Sequence, residues 1–223
     1  MKSIRIFIFS AVTLFMSACT DRLTDGVDLG LPSGTIWASC NLGANTPFQE
    51  GLYYAWGETK GYAPADRHDF WWDNYLKESN GNLRHWKSCG TELDPLRNYS
   101  IPGSDRLPLE YDAAHVALGD GWHIPTYIQF EELISYCDWE WTTIGGTSGY
   151  KVKSKINRNF IFLPANGYAD GTMICGADEW GYYMTSTAYS STVGYERILY
   201  FFNGDKYWNF SSRYNGLSIR PVR

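Results

Sequence analysis

The stretch from Gly181 to Arg223 constrains the fold of this chain more than any other segment does. It places eleven aromatic residues within 43 positions and separates them with Ser, Thr and Asn. One small strand layer cannot bury that much aromatic surface, and Tyr and Trp beside small polar residues are typical of rigid binding surfaces. The stretch therefore predicts strands whose aromatic side chains lie partly in the core and partly at a ligand-binding surface.

The two-residue period of a β-strand assigns these side chains to faces. Along residues 206–210 it places Tyr207 and Asn209 on one face, which we expect to be exposed. Trp208 and Phe210 fall on the other face, which we expect to be buried. Side chains in the turns should be the most accessible of all. The candidate ligand-binding residues are Tyr183, Tyr189, Tyr195, Tyr207, Asn209, Ser211, Tyr214 and Asn215.

The N-terminus has the pattern of a secretory signal. Lys2 and Arg5 precede an apolar run over residues 6–16 that is too short to span a membrane. The sequence Met-Ser-Ala-Cys at 16–19 resembles a bacterial lipobox, which predicts a signal peptide over 1–18 and lipidation of Cys19. A plain secreted protein with an incidental cysteine is the alternative. We expect an extracytoplasmic, surface-exposed outer-membrane lipoprotein that contacts the membrane only through its lipid anchor.

The length of the remaining chain fits one domain. Residues 19–26 are polar and without periodicity, so we interpret them as a tether, and residues 27–223 as a single domain. With 24 acidic and 19 basic residues and no basic patch, the chain is not expected to bind nucleic acid. Four cysteines follow the lipobox and permit two disulfides in three connectivities. They are Cys40, Cys89, Cys137 and Cys175, and their spacing predicts neither a zinc site nor any cofactor.

Two helices interrupt a strand-rich chain. The first is predicted over 112–118, between an acidic start and Gly119. The second is predicted over 127–137, because Thr126 and Gln129 form a capping box. Its apolar stripe should pack against a sheet and consists of Ile128, Phe130, Leu133, Ile134 and Cys137.

The strands and loops complete an α+β pattern. A long loop-rich insertion over 58–107 separates the early strands from the helices. The arrangement of helices within a strand-rich chain favours an α+β fold of short, mostly antiparallel strands. The predicted strands are 27–29, 36–40, 52–57, 150–153, 160–163, 181–187, 196–202, 206–210 and 217–222.

Five sequence blocks appear in one order along the chain. They are VDLGLPSGT with WA at 27–38, AWGET at 55–59, WHIPT at 122–126, IFLP at 161–164 and SIRPV at 218–222. Together they resemble the Fibrobacter succinogenes major paralogous domain, a family abundant in surface lipoproteins of Bacteroidota. The resemblance implies a C-type-lectin-like fold related to the sulfatase-modifying domains, with residues 27–29 near 218–222. Met184 departs from the family, which usually has Trp at this position.

Residue patterns for catalysis are missing. Sulfatase-modifying enzymes use a late pair of close cysteines, whereas only Cys175 follows Cys137 here. The chain has no G-x-S-x-G motif, and its four histidines lack metal-ligand spacing. Calcium-dependent sugar sites of this fold need a Trp-Asn-Asp triplet, but Phe210 follows Trp208-Asn209. We expect no catalytic residue and no metal, and we expect four carboxylates to be solvated, namely Asp138, Glu140, Asp178 and Glu179.

The sequence thus favours a non-catalytic surface lipoprotein that binds a glycan or a surface protein through its aromatic C-terminal strands and loops. One alternative is a structural or adhesin subunit of a surface assembly, and another is a hydrolase. A third is a binding protein diversified by a retroelement that mutates adenines. Changing only the adenines of an Asn codon can give Tyr, Phe or Ser, or leave Asn. Such residues occur at Tyr207, Asn209, Phe210, Ser211, Ser212, Tyr214 and Asn215.

Overall fold

The computed structural model describes residues 26–71, 74–75, 106–119, 121–189 and 194–223. They form small antiparallel sheets with two α-helices, which confirms the α+β class. The predicted signal peptide, Cys19, Cys89 and most of the predicted insertion lie outside these residues. The strands are β1 (Val27–Asp28), β2 (Ile36–Trp37), β3 (Cys137–Ile144), β4 (Thr147–Ser154), β5 (Phe160–Pro164), β6 (Tyr168–Asp170), β7 (Met173–Cys175), β8 (Trp180–Ala188), β9 (Tyr195–Phe202) and β10 (Asp205–Ser212).

The two helices begin at the predicted caps. In α1 (Ala113–Leu118) the Asp112 carboxylate accepts from the backbone N–H of His115 at 3.0 Å. In α2 (Tyr127–Tyr136) the side chains of Thr126 and Gln129 form the predicted capping box. These bonds satisfy backbone donors that the first turn of a helix leaves unpaired.

The predicted apolar stripe of α2 is wrong at one position. Phe130 and Leu133 are fully buried, but Ile128 is 61% exposed. The helix also ends at Tyr136, because Cys137 already belongs to β3. No helix among the described residues is long and apolar enough to cross a membrane.

The sheet formed by β8, β9 and β10 lies at the centre of the structure, in the order β10-β9-β8. On one face, Met184 and Ile198 pack into a hydrophobic cluster with Trp56 and with residues of the C-terminal segment. On the opposite face, Leu199 and Phe201 pack into a second cluster with Trp37 and α2. Both faces of the sheet are therefore partly buried, which uses much of the apolar surface of these strands.

The sheet formed by β3, β4 and β5 covers part of the second face. The ring of Tyr150 on β4 lies 5.3 Å from Phe201, and Trp139 on β3 lies 5.4 Å from Tyr150. β3 is absent from the predicted strands, although its sequence, CDWEWTTI, alternates Cys137, Trp139 and Trp141 with Asp138 and Glu140 as a half-buried strand does. A two-residue turn at Gly145-Gly146 joins β3 to β4.

The N- and C-terminal parts of the domain meet at β2. The backbone N–H of Ile36 donates to the carbonyl of Arg223 at 2.8 Å, and that of Ala38 donates to Pro221 at 2.9 Å. Val27 pairs with Trp37, so β2 lies between β1 and the C-terminal segment. The strands predicted over 52–57 and 217–222 reduce to isolated bridges, including one between Tyr54 and Leu217.

A buried arginine fastens these segments together. The guanidinium of Arg220 donates to the carbonyls of Ala38 (3.1 Å), Ser39 (2.8 Å) and Phe162 (2.7 Å). It also donates to Oδ1 of Asn41 at 2.8 Å. Neutral oxygens thus satisfy a fully buried cation, which makes Arg220 a structural residue.

Three cysteines of the described chain are free thiols. Cys40 and Cys137 are buried, and Cys175 is half-buried. Burial raises the pKa of the Cys137 thiol to about 11, so it stays protonated at neutral pH. Among the residues that the structure describes, none of these three cysteines forms a disulfide.

Candidate functional site

The register of the central sheet places three tyrosines in one row across it. Tyr200 on β9 is the direct partner of Tyr182 on β8 and of Tyr207 on β10. Direct partners in antiparallel strands project from the same face. The ring centroids of Tyr182 and Tyr200 lie 4.8 Å apart, and those of Tyr200 and Tyr207 lie 5.0 Å apart.

A fourth tyrosine extends this row beyond β8. The ring of Tyr168 on β6 lies 4.7 Å from that of Tyr182. We call Tyr168, Tyr182, Tyr200 and Tyr207 the tyrosine file. Tyr207 is 42% exposed and the other three are half-buried, so the file is anchored in the domain and accessible from outside.

Polar side chains lie beside the tyrosine file on the same face. Asn209 follows Tyr207 by two residues on β10 and is half-buried, and Ser211 follows by four and is buried. The amide nitrogen of Asn215 donates to the Ser211 hydroxyl at 3.1 Å. Aromatic rings with a few fixed amide and hydroxyl groups are the usual lining of a site for a small polar ligand.

An exposed tryptophan continues the aromatic surface past Tyr168. Trp71 is 48% exposed, and its ring lies 5.4 Å from Tyr214. Tyr214 is half-buried and close enough to Tyr168 to contribute to the raised pKa of that phenol. The candidate surface therefore extends from β10 to the loop that carries Trp71.

Three phenols of the tyrosine file, those of Tyr168, Tyr182 and Tyr200, are neutral at physiological pH. Burial raises the pKa of Tyr182 and, to a smaller degree, those of Tyr168 and Tyr200. The neighbouring phenols of the file are the next cause for Tyr182 and Tyr200, since two ionised phenols would repel. Each of these three phenols thus keeps its proton and can both donate and accept a hydrogen bond.

Tyr183 is wrong as a ligand-binding candidate. It follows Tyr182 on β8 and therefore points to the opposite face, where it is fully buried. Its phenol donates to the carbonyl of Pro164 at 3.0 Å and accepts from the amide of Asn41 at 3.2 Å. Ser211 is also buried, so it contributes to the site only through Asn215.

Tyr189 and Tyr195 lie in a separate cluster with Phe210. The ring of Phe210 lies 5.1 Å from Tyr189 and 5.3 Å from Tyr195. Phe210 is 49% exposed, so the prediction that it is buried is wrong, while Trp208 is half-buried. Phe201 and Phe210 project from the same face of the central sheet, the one opposite the tyrosine file. The core on that face covers Phe201, whereas Phe210 lies at the opposite end of the β9–β10 hairpin. We call Tyr189, Tyr195 and Phe210 the Phe210 cluster.

The residues proposed for retroelement diversification do not share one surface. Tyr207, Asn209 and Ser211 project from the face of the tyrosine file, whereas Phe210 and Ser212 alternate to the opposite face. A varied segment with this composition would therefore alter two surfaces at once.

Three residues of the file were missed by the sequence analysis, namely Tyr168, Tyr182 and Tyr200. One signal for Tyr200 is present in the sequence. Asn203-Gly204 forms a two-residue turn, and a two-residue hairpin loop fixes Phe202 opposite Asp205 and Tyr200 opposite Tyr207. Tyr168 has no comparable signal, because β6 joins β8 only in the tertiary structure.

A separate open cleft of about 420 Å³ lies between the loop at 43–52 and the β3–β4 turn. Glu50 lines it, and desolvation followed by the charge of Asp178 raises the pKa of its carboxyl. The four carboxylates expected to be solvated, Asp138, Glu140, Asp178 and Glu179, are all exposed, and Asp138 lies 4.0 Å from Arg158. Among the residues that the structure describes, no three His, Cys, Asp or Glu side chains converge to hold a metal ion.

No protein-family model matches the chain, and no curated protein or solved structure is significantly similar to it. What the protein does therefore has to be inferred from the residues and geometry of the site.

Proposed function

We propose that this protein is a non-catalytic binding module that holds a glycan against the tyrosine file. The observation that carries the proposal is the continuous row of four tyrosines, with centroid separations of 4.7, 4.8 and 5.0 Å. A sugar presents apolar C–H faces and a rim of hydroxyls. Rigid aromatic rings fit the faces, and phenol and amide groups fit the rim.

The packing behind the file supports a preformed site. Met184 and Ile198, which neighbour Tyr182 and Tyr200 on the same face, are fully buried. The strands that carry the phenols are thus fixed by the core, and a ligand would not have to order them. Preformed sites lose less conformational entropy on binding than flexible ones do.

We further propose that the domain has a C-type-lectin-like fold and belongs to a lipid-anchored protein at the cell surface. The five sequence blocks support this assignment, as does the pairing of Ile36 on β2 with Arg223 in the C-terminal segment. In this proposal Cys19 carries the lipid, and the short tether brings the domain close to the membrane. Because fold does not fix function, the proposed activity depends on the tyrosine file alone.

Two variants of one strand test the proposed function. Tyr207 and Phe210 are both exposed aromatics of β10, at 42% and 49%, but they lie on opposite faces. The purified full-length protein, the Tyr200→Ala/Tyr207→Ala variant and the Phe210→Ala variant would be applied to the same glycan array. We expect the double variant to lose its signal and Phe210→Ala to keep it. Loss of the signal in Phe210→Ala alone would move the site to the other face.

The Phe210 cluster favours a second function, as a structural or adhesin subunit of a surface assembly. An exposed aromatic cluster beside an edge strand is typical of protein interfaces. β10 is the edge of its sheet, with no partner strand on its outer side in the described part of the chain. Phe210→Ala would then prevent co-purification with the assembly, while Tyr207→Ala would not.

A hydrolase remains a further candidate because of the cleft that Glu50 lines. Two interacting carboxylates can serve as acid and base in glycoside hydrolysis, and Glu50 and Asp178 interact. Release of reducing sugar by the wild-type protein, lost in Glu50→Gln, would support this function. Binding without turnover would support the non-catalytic module.

A further inference from the structure

We propose that the ligand of the tyrosine file is a linear, uncharged oligosaccharide and that carboxylates at both ends of the file exclude acidic glycans. This inference depends on the proposed glycan-binding function, since it names the chemistry of that ligand. The arrangement of charge on the two faces of the central sheet supports it.

The shape of the file fits a linear chain. Its four rings follow one another across β6, β8, β9 and β10, and successive centroids are 4.7 to 5.0 Å apart. This repeat is comparable to the advance of one sugar unit along a linear glycan. A ligand of several units would contact more than one ring, whereas a monosaccharide would contact one or two.

The strands β8, β9 and β10 carry two cations, and both are on the face opposite the file. Arg197 lies over the ring of Tyr127 at 4.5 Å, and Lys206 lies over the ring of Trp139 at 5.3 Å. Arg197 is the cross-strand partner of Phe210, and Lys206 is the partner of Phe201, so neither projects toward the tyrosine file. These three strands therefore offer no positive charge to a sulfate or uronate at the file.

Carboxylates flank the file at both ends. Asp205 precedes Tyr207 by two residues on β10, and Asp170 follows Tyr168 by two residues on β6, so each shares the face of its tyrosine. Asp205 is exposed and Asp170 is half-buried. The charge of Asp170 also reaches the Tyr168 phenol.

Opposite ends of the ligand would thus meet negative charge. A sulfate or uronate bound along the file would lie within about 10 Å of one of these carboxylates, which is the range over which charges act at 0.1 M salt. A neutral sugar meets no repulsion, and its hydroxyls can donate to the same carboxylates. The carboxylates therefore favour neutral glycans over acidic ones of the same backbone.

Matched pairs of glycans test the proposal on the purified full-length protein. One pair is methyl-esterified and unesterified homogalacturonan, and the other is laminarin and sulfated laminarin. Affinity for each would be measured by affinity electrophoresis at two salt concentrations, with a length series of neutral oligosaccharides added. The variants are Tyr200→Ala/Tyr207→Ala, Asp170→Asn/Asp205→Asn, and Phe210→Ala as the control on the opposite face.

We expect the neutral member of a pair to bind about tenfold more tightly than the acidic one at low salt, with the difference falling as salt rises. Asp170→Asn/Asp205→Asn should reduce this difference in affinity between the neutral and acidic glycans at least threefold. Affinity for neutral oligosaccharides should rise with the length of the oligosaccharide. Equal or tighter binding of the acidic member, lost in the tyrosine variant, would overturn the inference and leave the proposed function standing. No binding to any array glycan, neutral or acidic, would overturn both.

Discussion

Tyr182 and Tyr183 are neighbours on β8 that project from opposite faces of the central sheet. The ring of Tyr182 lies 4.8 Å from Tyr200 in the accessible tyrosine file. Tyr183 is fully buried, stacks on Phe201 at 5.8 Å and hydrogen-bonds to Pro164 and Asn41. Two identical residues therefore have different roles because a strand alternates its side chains.

Removing the hydroxyl from each of these tyrosines should separate the two roles. Tyr183→Phe leaves the Asn41 amide and the Pro164 carbonyl short of a buried partner, so we expect it to lower the free energy of unfolding by about 1–3 kcal/mol. Tyr182→Phe should change that free energy by less than about 0.5 kcal/mol. Urea unfolding of both variants measures the difference. Equal losses would contradict the assignment of Tyr183 to the core.

Arg220 should be among the residues on which stability depends most. Arg220→Met leaves the carbonyls of Ala38, Ser39 and Phe162 without their donor. We therefore expect it to lower the free energy of unfolding by about 3–5 kcal/mol. Arg158→Met serves as the control, because that side chain is exposed and lies 4.0 Å from Asp138. Arg158→Met should lower the free energy of unfolding, measured by urea unfolding of both variants, by less than about 1 kcal/mol. Similar losses in the two variants would argue against the role of Arg220 as an anchor.

Glu196 should make the fold less stable as the pH rises. It is fully buried, and neither carboxylate oxygen hydrogen-bonds to a described residue. Burial raises its pKa well above 4.5, although the charge of Arg213 partly opposes this shift. A carboxyl with a raised folded-state pKa contributes stability that is present below pH 4.5 and is lost as the pH passes that folded-state pKa.

Glu196→Gln should remove this pH dependence. We expect the free energy of unfolding of the variant to exceed that of wild type by about 1 kcal/mol at pH 7 and to differ little from it at pH 4. Thermal unfolding across this pH range measures the effect, and the exposed Glu179→Gln is the control. A variant less stable than wild type at pH 7 would instead indicate a stabilising ion pair between Glu196 and Arg213.

The tyrosine file should affect stability at alkaline pH. Burial raises the pKa of Tyr168, Tyr182 and Tyr200 above the usual 10.0. The stability that these protonated phenols contribute is present below pH 10 and is lost as the pH rises through their folded-state pKa values. We expect Tyr182→Phe to unfold at a higher pH than wild type in an alkaline titration followed by circular dichroism. Unfolding at a lower pH would contradict the raised pKa of Tyr182.

Local signals predicted the helices and the strands β9 and β10 well. The caps at Asp112, Thr126 and Gly119 act between residues close in sequence, so their pattern is visible without the fold. The same holds for the exposure of Tyr207, which follows from strand alternation. The prediction was wrong for Phe210, because alternation gives two faces and does not say where the core ends along each of them.

Residues far apart in sequence account for what was missed. Tyr168 reaches Tyr182 only because β6 lies beside β8, and Arg220 finds its partners at residues 38–41 and at Phe162. Such contacts depend on long-range packing, which overrides local strand preference.

By itself the sequence determined the α+β class, the helix caps and an aromatic C-terminal region too rich to be wholly buried. These properties depend on composition and on interactions within a few residues. The tertiary structure alone decided which tyrosines form the file, because the second layer of the core covers Tyr183 and leaves Tyr200 and Tyr207 accessible. Which face of a sheet is covered is a property of packing between distant segments, and no local pattern specifies it.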